Sequence, residues 1–171
     1  MKTTPLEFKV IVPCYNCEKW IGKTVQSLKI QRYKNFECLI IDDASTDGTF
    51  QAIKKNINGD NRFKIAQNKE NKGALKNIYH GIKAINQSKE DIIVCLDGDD
   101  WFYDENVLQK LNNTYTTEKC LLTYGSFIDT HGNVTGHVNQ SSYNKSTIDN
   151  SAFREEDWKA TALRTFKAKL W

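Results

Sequence analysis

The sequence predicts an α/β fold of Rossmann-like type, with a mostly parallel sheet and helices on both of its faces. Short apolar runs alternate with segments whose apolar residues recur at helical spacing, and the connections between them are short. The composition agrees, because 39% hydrophobic and 26% charged residues in 171 positions suit one globular domain.

Five apolar runs are predicted strands. In chain order they are residues 8–12, 36–41, 63–66, 92–96 and 121–124. The first strand is expected to stop at Pro13, because proline has no N–H to donate to a neighbouring strand.

Four helices are predicted between these strands from apolar residues at helical spacing. They are residues 18–31, a segment from Asp47 through Ile53, residues 73–86 and a short helix around residues 107–111. Ser45 or Thr46 is expected to cap the second helix, with Asp47 in its first turn. The third has the clearest pattern, with one apolar face formed by Leu75, Ile78, Tyr79, Ile82 and Ile85.

The end of the chain divides into two parts. Residues 127–150 are polar and weakly patterned, which predicts a hairpin or a mobile loop over a ligand crevice. Trp158, Ala162, Phe166 and Leu170 recur every four residues and predict a final amphipathic helix. Two alternatives are open for this helix: docking on the domain, or peripheral contact with a membrane surface, since its other face is basic.

Charge and composition exclude several classes of protein. The net charge is +3 and the Lys and Arg residues are scattered, so no basic stripe for nucleic acid is present. No apolar run is long enough to cross a bilayer, and the first residues lack the apolar segment of a signal peptide. Five cysteines without a secretory signal predict free thiols in a reducing compartment, and we therefore expect a cytoplasmic protein.

Cys14 and Cys17 form a C-x-x-C pair at the passage from the first strand to the first helix. Thioredoxin-like redox pairs occupy the same position. A structural zinc site would need a second pair or well-spaced histidines, and the other three cysteines are single. We expect the spacing to be coincidental, and a redox pair is the alternative.

The most informative segment is Asp97–Asp100, the acidic loop, which directly follows the buried strand 92–96. Its three carboxylates repel each other and resist burial unless a cation neutralises them. Oxygen ligands on a tight loop suit Mg²⁺ or Mn²⁺, which complete their shells with water and substrate phosphates. The alternative is a solvated Asp-Gly turn.

Two other predicted strands also end in polar residues, Tyr15-Asn16 and Asp42-Asp43. In a parallel sheet the carboxyl ends of the strands meet at one edge, where ligands bind. Together with the acidic loop, these residues predict a metal-dependent enzyme that acts on a diphosphate.

Four segments together resemble family 2 glycosyltransferases of the GT-A fold. They are Val10–Asn16, Leu39–Thr49, Asn71–Gly73 and Asp97–Asp100, and they follow the family's order. The resemblance implies a nucleotide diphosphate sugar as donor, with UDP expected, and a saccharide or lipid-linked acceptor. It implies transfer with inversion, a Mn²⁺ or Mg²⁺ cofactor, and a role in polysaccharide assembly at the cytoplasmic membrane face.

The resemblance also implies which residues bind the nucleotide: Pro13, Tyr15, Asn16, Asp43, Gly73, Lys76 and Asp97. Tyr15 would stack on the base, and Asp43 would accept hydrogen bonds from it, a contact that suits uracil and also guanine. Asp42 would brace its loop.

The metal ligands implied by the same resemblance are Asp99, Asp97 and Asp100. Asp99 would be the main ligand, Asp97 would lie nearer the ribose, and Asp100 would share either task. On the third helix, Lys76 or Asn77 would reach a phosphate or the sugar, and the alternative for both is an exposed helix face.

An inverting transfer needs a base near the acceptor hydroxyl, usually Asp or Glu in these enzymes. Glu156 and Asp157 are the candidates, although Asp157 could simply begin the last helix. We expect residues 1–126 to form the donor-binding core, and residues 127–171 to begin the acceptor side of the same domain. Because the chain stops at Trp171 within the helical pattern, we expect a truncated chain without its base. The alternative function is a nucleotide-sugar-binding domain that cannot transfer by itself.

Overall fold

The structure, a computed structural model, describes residues 5–85, 87–125, 128 and 161–171. The strands are β1 (Phe8–Cys14), β2 (Phe36–Asp42), β3 (Phe63–Gln67), β4 (Ile92–Cys95), β5 (Leu122–Gly125) and β6 (Thr161–Lys167). The helices are α1 (Glu18–Lys29), α2 (Thr49–Ile57), α3 (Ala74–Ala84) and α4 (Val107–Thr117), and a 3₁₀ turn follows at Ala168–Leu170.

The strands form one sheet in the order β3-β2-β1-β4-β6-β5. β1 pairs in parallel with β2 and β4, and β2 pairs in parallel with β3. β6 lies antiparallel between β4 and β5. The predicted mostly parallel sheet is confirmed. The central strands are long apolar runs because both of their faces are covered, and all seven residues of β1 are buried.

Two apolar layers cover the faces of the sheet. One layer packs α1, α2 and α4 onto the sheet through side chains such as Ile21, Ile53 and Leu108. The other packs α3 through Ile82 and Ile85. Each fully buried side chain of this size stabilises the fold by about 1.5–3 kcal/mol. No helix in the described part of the chain is long and apolar enough to span a membrane.

The first strand does not stop at Pro13, as the sequence analysis expected, but continues through it to Cys14. The β1–β4 register ends at Ile11↔Cys95, so the missing N–H of Pro13 falls where β4 has already ended. The Pro13 carbonyl still accepts a hydrogen bond from the Gly98 N–H at 3.0 Å. Pro13 thereby joins β1 to the acidic loop.

The prediction of a final amphipathic helix is wrong, because residues 161–167 form the strand β6. Ile93 pairs with Phe166, and Val94 pairs with Thr165. Alternate side chains of β6 enter the two apolar layers: Leu163 packs against one layer and Phe166 against the other. The helix on which membrane contact depended is therefore absent. Its predicted first residue, Trp158, lies outside the described residues.

The apolar face predicted for α3 is only partly correct. Ile82 and Ile85 are buried, but Leu75 is 79% exposed and Tyr79 is 41% exposed. α3 packs closely on the sheet at Gly81, because a Cβ there would lie 2.9 Å from side-chain carbons of Ile11 and Ile41.

Candidate active site

Polar side chains follow four neighbouring strands at the carboxyl edge of the sheet. Tyr15 follows β1, Asp43 follows β2, Asn68 follows β3, and the acidic loop follows β4. These strands are parallel and adjacent, so their ends meet at one edge. The predicted convergence of strand ends is confirmed, and this edge is where α/β sheets of this type bind ligands.

Asp43 is buried, and both of its carboxylate oxygens accept hydrogen bonds from other residues of the chain. Its Oδ1 accepts hydrogen bonds from the Asn68 side chain at 2.7 Å and the Lys72 N–H at 2.9 Å. Its Oδ2 accepts one from the Gly73 N–H at 2.8 Å. Burial alone would raise the pKa of this carboxyl, but the amide groups of Asn77, Lys72, Asn68 and Gly73 lower it below its usual range. Asp43 therefore stays ionised and fixes the turn that leads into α3.

Asp42 braces its loop, as the resemblance implied. It is completely buried, and its Oδ2 accepts a hydrogen bond from the Gln67 side chain at 2.8 Å. Its Oδ1 lies 3.4 Å from the Ser45 N–H. Both neighbouring carboxylates thus support the backbone of the crevice.

Asn16 links the ends of β1 and β2. Its backbone N–H donates to Ser45 Oγ at 3.0 Å, and its Oδ1 accepts from the Thr46 N–H at 2.9 Å. Ser45 and Thr46 therefore do not cap α2, which begins after Gly48. Asp47 precedes the helix and accepts hydrogen bonds from the Thr49 N–H and hydroxyl. Through these contacts Asn16 connects the loop after β1 to the loop after β2.

The start of α3 is shaped by Gly73. Gly73 has φ +84°, a conformation that L side chains rarely adopt. Its N–H is directed at Asp43. Lys76 on the first turn of α3 is exposed, whereas Asn77 is only 2% exposed and accepts a hydrogen bond from Asn68. Lys76 is thus exposed, a position that fits a phosphate contact as well as a solvated helix face, whereas Asn77 does not lie on an exposed face.

A cavity of about 200 Å³ lies between α3 and the sheet. Its polar lining comes from Asn68, Lys72, Asn77 and His80. Asn68 and Asn77 also belong to the hydrogen-bond network around Asp43. The cavity is therefore continuous with the polar network at the ends of β2 and β3.

The acidic loop is a tight turn in which the Asp100 N–H donates to the Asp97 carbonyl at 3.1 Å. Asp97 is half-buried, and Asp99 and Asp100 are exposed. Burial raises the pKa of Asp97, Arg164 opposes this rise, and Asp99 adds to it. Burial and the two neighbouring carboxylates also raise the pKa of Asp100. The loop therefore holds crowded negative charge that a cation would relieve.

The donor set of the acidic loop fits a hard cation that shares its ligands with a substrate. Across residues 5–85, 87–125, 128 and 161–171, no group of three or more His, Cys, Asp or Glu is arranged to hold a metal by itself. Mg²⁺ and Mn²⁺ commonly take one or two carboxylates and complete their shells with water and phosphate oxygens. Two carboxylates of this loop suit that mode of binding.

Arg164 is a site residue that the sequence analysis did not single out. It pairs with Cys95 in the register of β4 and β6, and its charge acts on Asp97. Arg164 therefore brings a cation to the acidic loop although it lies 69 residues after Cys95, the last residue of β4. The periodicity around Arg164 indicated a helix, so only the pairing of β6 with β4 reveals this position.

The C-x-x-C pair lies directly beneath the acidic loop. Cys17 is the N-cap of α1, at the helix start that the sequence predicted. The Cys14 thiol donates to the Ile41 carbonyl at 3.4 Å. Interaction with the Cys17 side chain and burial raise the pKa of Cys14, whereas interaction with Cys14 lowers the pKa of Cys17. A Cβ at Gly98 would lie 3.1 Å from the Sγ of Cys17. The pair thus forms part of the floor of the loop.

Some of the predicted residues lie outside the described part of the chain. They are Glu156 and Asp157, the candidate bases, and the segment 127–150 apart from residue 128, which was expected to form a hairpin or a mobile loop over the crevice. Pro13 and Tyr15 are placed at the end of β1, where Pro13 is buried and Tyr15 is 49% exposed.

Comparison with known proteins agrees with this fold. The structure resembles that of TarS residues 1–349 from Staphylococcus aureus in complex with UDP-GlcNAc, with a TM-score of 0.75 and 24% identity over 96% of this chain and 46% of that one. It also resembles the mannosyltransferase PcManGT from Pyrobaculum calidifontis in complex with GDP-Man and Mn²⁺, with a TM-score of 0.64 and 21% identity over 74% of this chain and 37% of that one. The fold is therefore of the GT-A type.

The family model for glycosyl transferase family 2 matches residues 9–168. The chain therefore belongs to glycosyl transferase family 2. A curated relative, the Escherichia coli UDP-Glc:alpha-D-GlcNAc-diphosphoundecaprenol beta-1,3-glucosyltransferase WfaP, is 33% identical over 118 residues, which are 69% of this chain and 45% of WfaP. The chain spans less than half of the length of the curated relatives that it matches.

Proposed function

We propose that this chain binds a UDP-sugar together with Mn²⁺ or Mg²⁺ and transfers the sugar, with inversion, to a glycan or lipid-linked acceptor. The observation that carries the proposal is the convergence of Tyr15, Asp43 and the acidic loop at one edge of the sheet. An aromatic ring, a buried carboxylate and crowded exposed carboxylates supply contacts for a base, a hydrogen-bonding edge and a metal-bound diphosphate, respectively.

The base would lie against Tyr15, whose exposed ring is free of strand packing at the end of β1. Stacking of this kind contributes about 1–3 kcal/mol in other nucleotide sites. Asp43 would accept an N–H of the base with the acceptor capacity that its three hydrogen bonds leave, since a carboxylate has about four acceptor positions. Its contacts with Lys72 and Gly73 hold it in one orientation for that task.

The diphosphate would lie beside the acidic loop. Asp99 and Asp97 would hold the cation, with Asp100 as a further carboxylate, and the cation would neutralise charge that accumulates on the departing diphosphate. Arg164 would add a charge-assisted contact to the phosphates from the β6 side.

The relatives support UDP as the nucleotide. The name of WfaP specifies UDP-Glc, and the TarS structure contains UDP-GlcNAc, although PcManGT contains GDP-Man. The name of WfaP also specifies a sugar linked to diphosphoundecaprenol, which supports a lipid-linked acceptor. Because undecaprenol is a lipid, an acceptor of this kind is anchored in a membrane, and we propose the cytoplasmic face of a membrane as the setting here.

Calorimetric titration of the chain with UDP and with GDP, each with and without Mn²⁺, tests donor binding. We expect UDP to bind more tightly with Mn²⁺, and we expect D99N to abolish that gain because Asp99 is the main proposed ligand. The matched control is D104N, because Asp104 pairs with Lys110 at 2.8 Å and should leave the gain intact. Absence of UDP binding, or equal binding with and without Mn²⁺, would defeat the proposal.

Release of UDP from a UDP-sugar, measured with and without a lipid-linked acceptor, tests transfer. We expect D99N to remove turnover. If the chain transfers sugar, E156Q and D157N decide which of the two candidates is the base, since the correct one should lower turnover without changing UDP affinity. Metal-dependent UDP binding with no turnover would contradict the transfer part of the proposal.

A further inference from the structure

Polar side chains on the buried side of α1, and just after its end, face the segment that contains the acidic loop. Thr24 and Gln31 are completely buried, and Ser27 is 6% exposed. Ile21, Val25 and Leu28 on the same helix are buried in the apolar layer. Polar groups in such a position destabilise the fold unless they are hydrogen-bonded, so their partners explain their presence.

Each of these three residues has a hydrogen-bond partner in the backbone of residues 98–108, and Ser27 and Gln31 also donate to the Thr24 and Ser27 carbonyls, respectively. Thr24 Oγ1 lies 3.0 Å from the Gly98 carbonyl and 2.7 Å from the Asp100 carbonyl, and its one hydroxyl hydrogen is shared between them. The Phe102 N–H donates to Ser27 Oγ at 3.1 Å. Gln31 donates to the Asp104 carbonyl at 2.7 Å and accepts from the Leu108 N–H at 3.0 Å.

Thr24 contacts the residues on both sides of Asp99. Gly98 is also held against β1, because its N–H donates to the Pro13 carbonyl. It packs so closely that a Cβ on Gly98 would collide with Cys14. The backbone around Asp99 is thus held at both neighbouring residues, while the Asp99 side chain stays exposed. Holding the backbone in this way orients the carboxylate before any ligand binds.

We propose that Thr24 is a positioning residue that orients the acidic loop for the metal-bound diphosphate, with Ser27 and Gln31 anchoring the segment that follows. The inference rests on the proposed metal-dependent binding of UDP. Without the Thr24 hydroxyl, the Gly98 and Asp100 carbonyls lose this donor, and the loop has a larger set of conformations.

Two measurements on the whole chain test this proposal. In the ligand-free protein, T24V should increase amide hydrogen exchange at Gly98, Asp100 and Phe102. In calorimetry, T24V should weaken UDP binding about five- to tenfold with Mn²⁺ and leave it unchanged in EDTA. T24S keeps the hydroxyl and should restore both properties. Valine has nearly the shape of threonine, but if T24V does not fold, the comparison of T24S with T24A replaces it.

The matched control is T165V. Thr165 is also completely buried, and its hydroxyl bonds Tyr115 at 2.7 Å and Thr123 at 2.6 Å, away from the acidic loop. T165V should reduce stability without changing exchange in the loop or the effect of Mn²⁺. Unchanged loop exchange in T24V, or equal weakening of UDP binding with and without Mn²⁺, would overturn the positioning role. If wild-type UDP affinity does not respond to Mn²⁺, the proposed function fails, while the exchange result still decides whether Thr24 holds the loop.

Discussion

Replacement of Gly98 by alanine tests how tightly the acidic loop lies on β1. The added Cβ would be closer than 3.0 Å to the Cβ of Cys14 and 3.1 Å from its Cα. Neither atom can rotate away, and non-bonded carbon atoms prefer about 3.5–4.0 Å, so the loop has to move by roughly 1 Å. We expect G98A to lower the free energy of unfolding by about 1–3 kcal/mol, as overpacking usually does. The displaced loop should also lose much of the Mn²⁺-dependent gain in UDP affinity.

Urea unfolding and UDP calorimetry measure the two effects. G22A is the matched control, because its Cβ would meet only the flexible Asn56 side chain, at 3.2 Å. Alanine inside a helix is favoured over glycine by about 1 kcal/mol, so G22A should be neutral or stabilising. C14S keeps the Cβ that causes the collision, and G98A should remain equally destabilising in that background. A free energy of unfolding for G98A within about 0.5 kcal/mol of wild type would refute the reasoning.

Three further predictions concern the edge of the sheet. D43N keeps one acceptor oxygen and places an NH₂ group against either the Lys72 N–H or the Gly73 N–H. Urea unfolding at neutral pH should therefore show a loss of about 1–3 kcal/mol, and an unchanged value would contradict the network. Because the pKa of Asp43 is lowered in the folded state, its stabilising contribution is complete above the unfolded pKa of about 3.9 and is lost as the pH falls through the folded pKa. Urea unfolding from about pH 6 to about pH 2 should therefore show a decline that is shallower in D43N, and parallel curves would contradict this assignment. R164Q should weaken UDP binding about tenfold through loss of a charge-assisted phosphate contact. K167Q, on the same strand but paired with Glu90 at 2.8 Å, should not, and calorimetry that finds the two variants alike would contradict the role of Arg164.

The first five strands could be predicted because their residues are locally distinctive. β1, β2 and β4 are covered on both faces, so each needs an unbroken apolar run, and such runs are visible without a partner. The acidic residues that follow β2 and β4 could be placed at one edge for the same reason, since parallel strands place their carboxyl ends together.

β6 could not be predicted, because its sequence is compatible with two periodicities. Phe166 and Leu170 continue a four-residue spacing, and Leu163 and Thr165 also alternate with Arg164 and Phe166. Hydrogen bonding to β4 and β5 decides between them, and both strands are distant in sequence. The position of Arg164, from which its charge acts on Asp97, depends on the pairing of β6 with β4.

The roles of the buried polar residues also depended on distant partners. The resemblance implied a base contact for Asp43, and the structure adds three hydrogen bonds that make the same carboxylate a support for the start of α3. Asn77 is buried in that network although its helix position suggested solvent.

The sequence by itself determined the order of the first five strands and the four helices between them, the edge at which polar residues collect, and the family. These properties follow from periodicity and from motifs of a few adjacent residues. Only the tertiary structure decided what the buried polar groups contact, because the partners are far apart in the chain. Thr24 and Asp100 are separated by 76 residues, and Asp43 and Gly73 by 30. A hydrogen bond needs donor and acceptor within about 3 Å, and local sequence carries no information on which distant group will lie there.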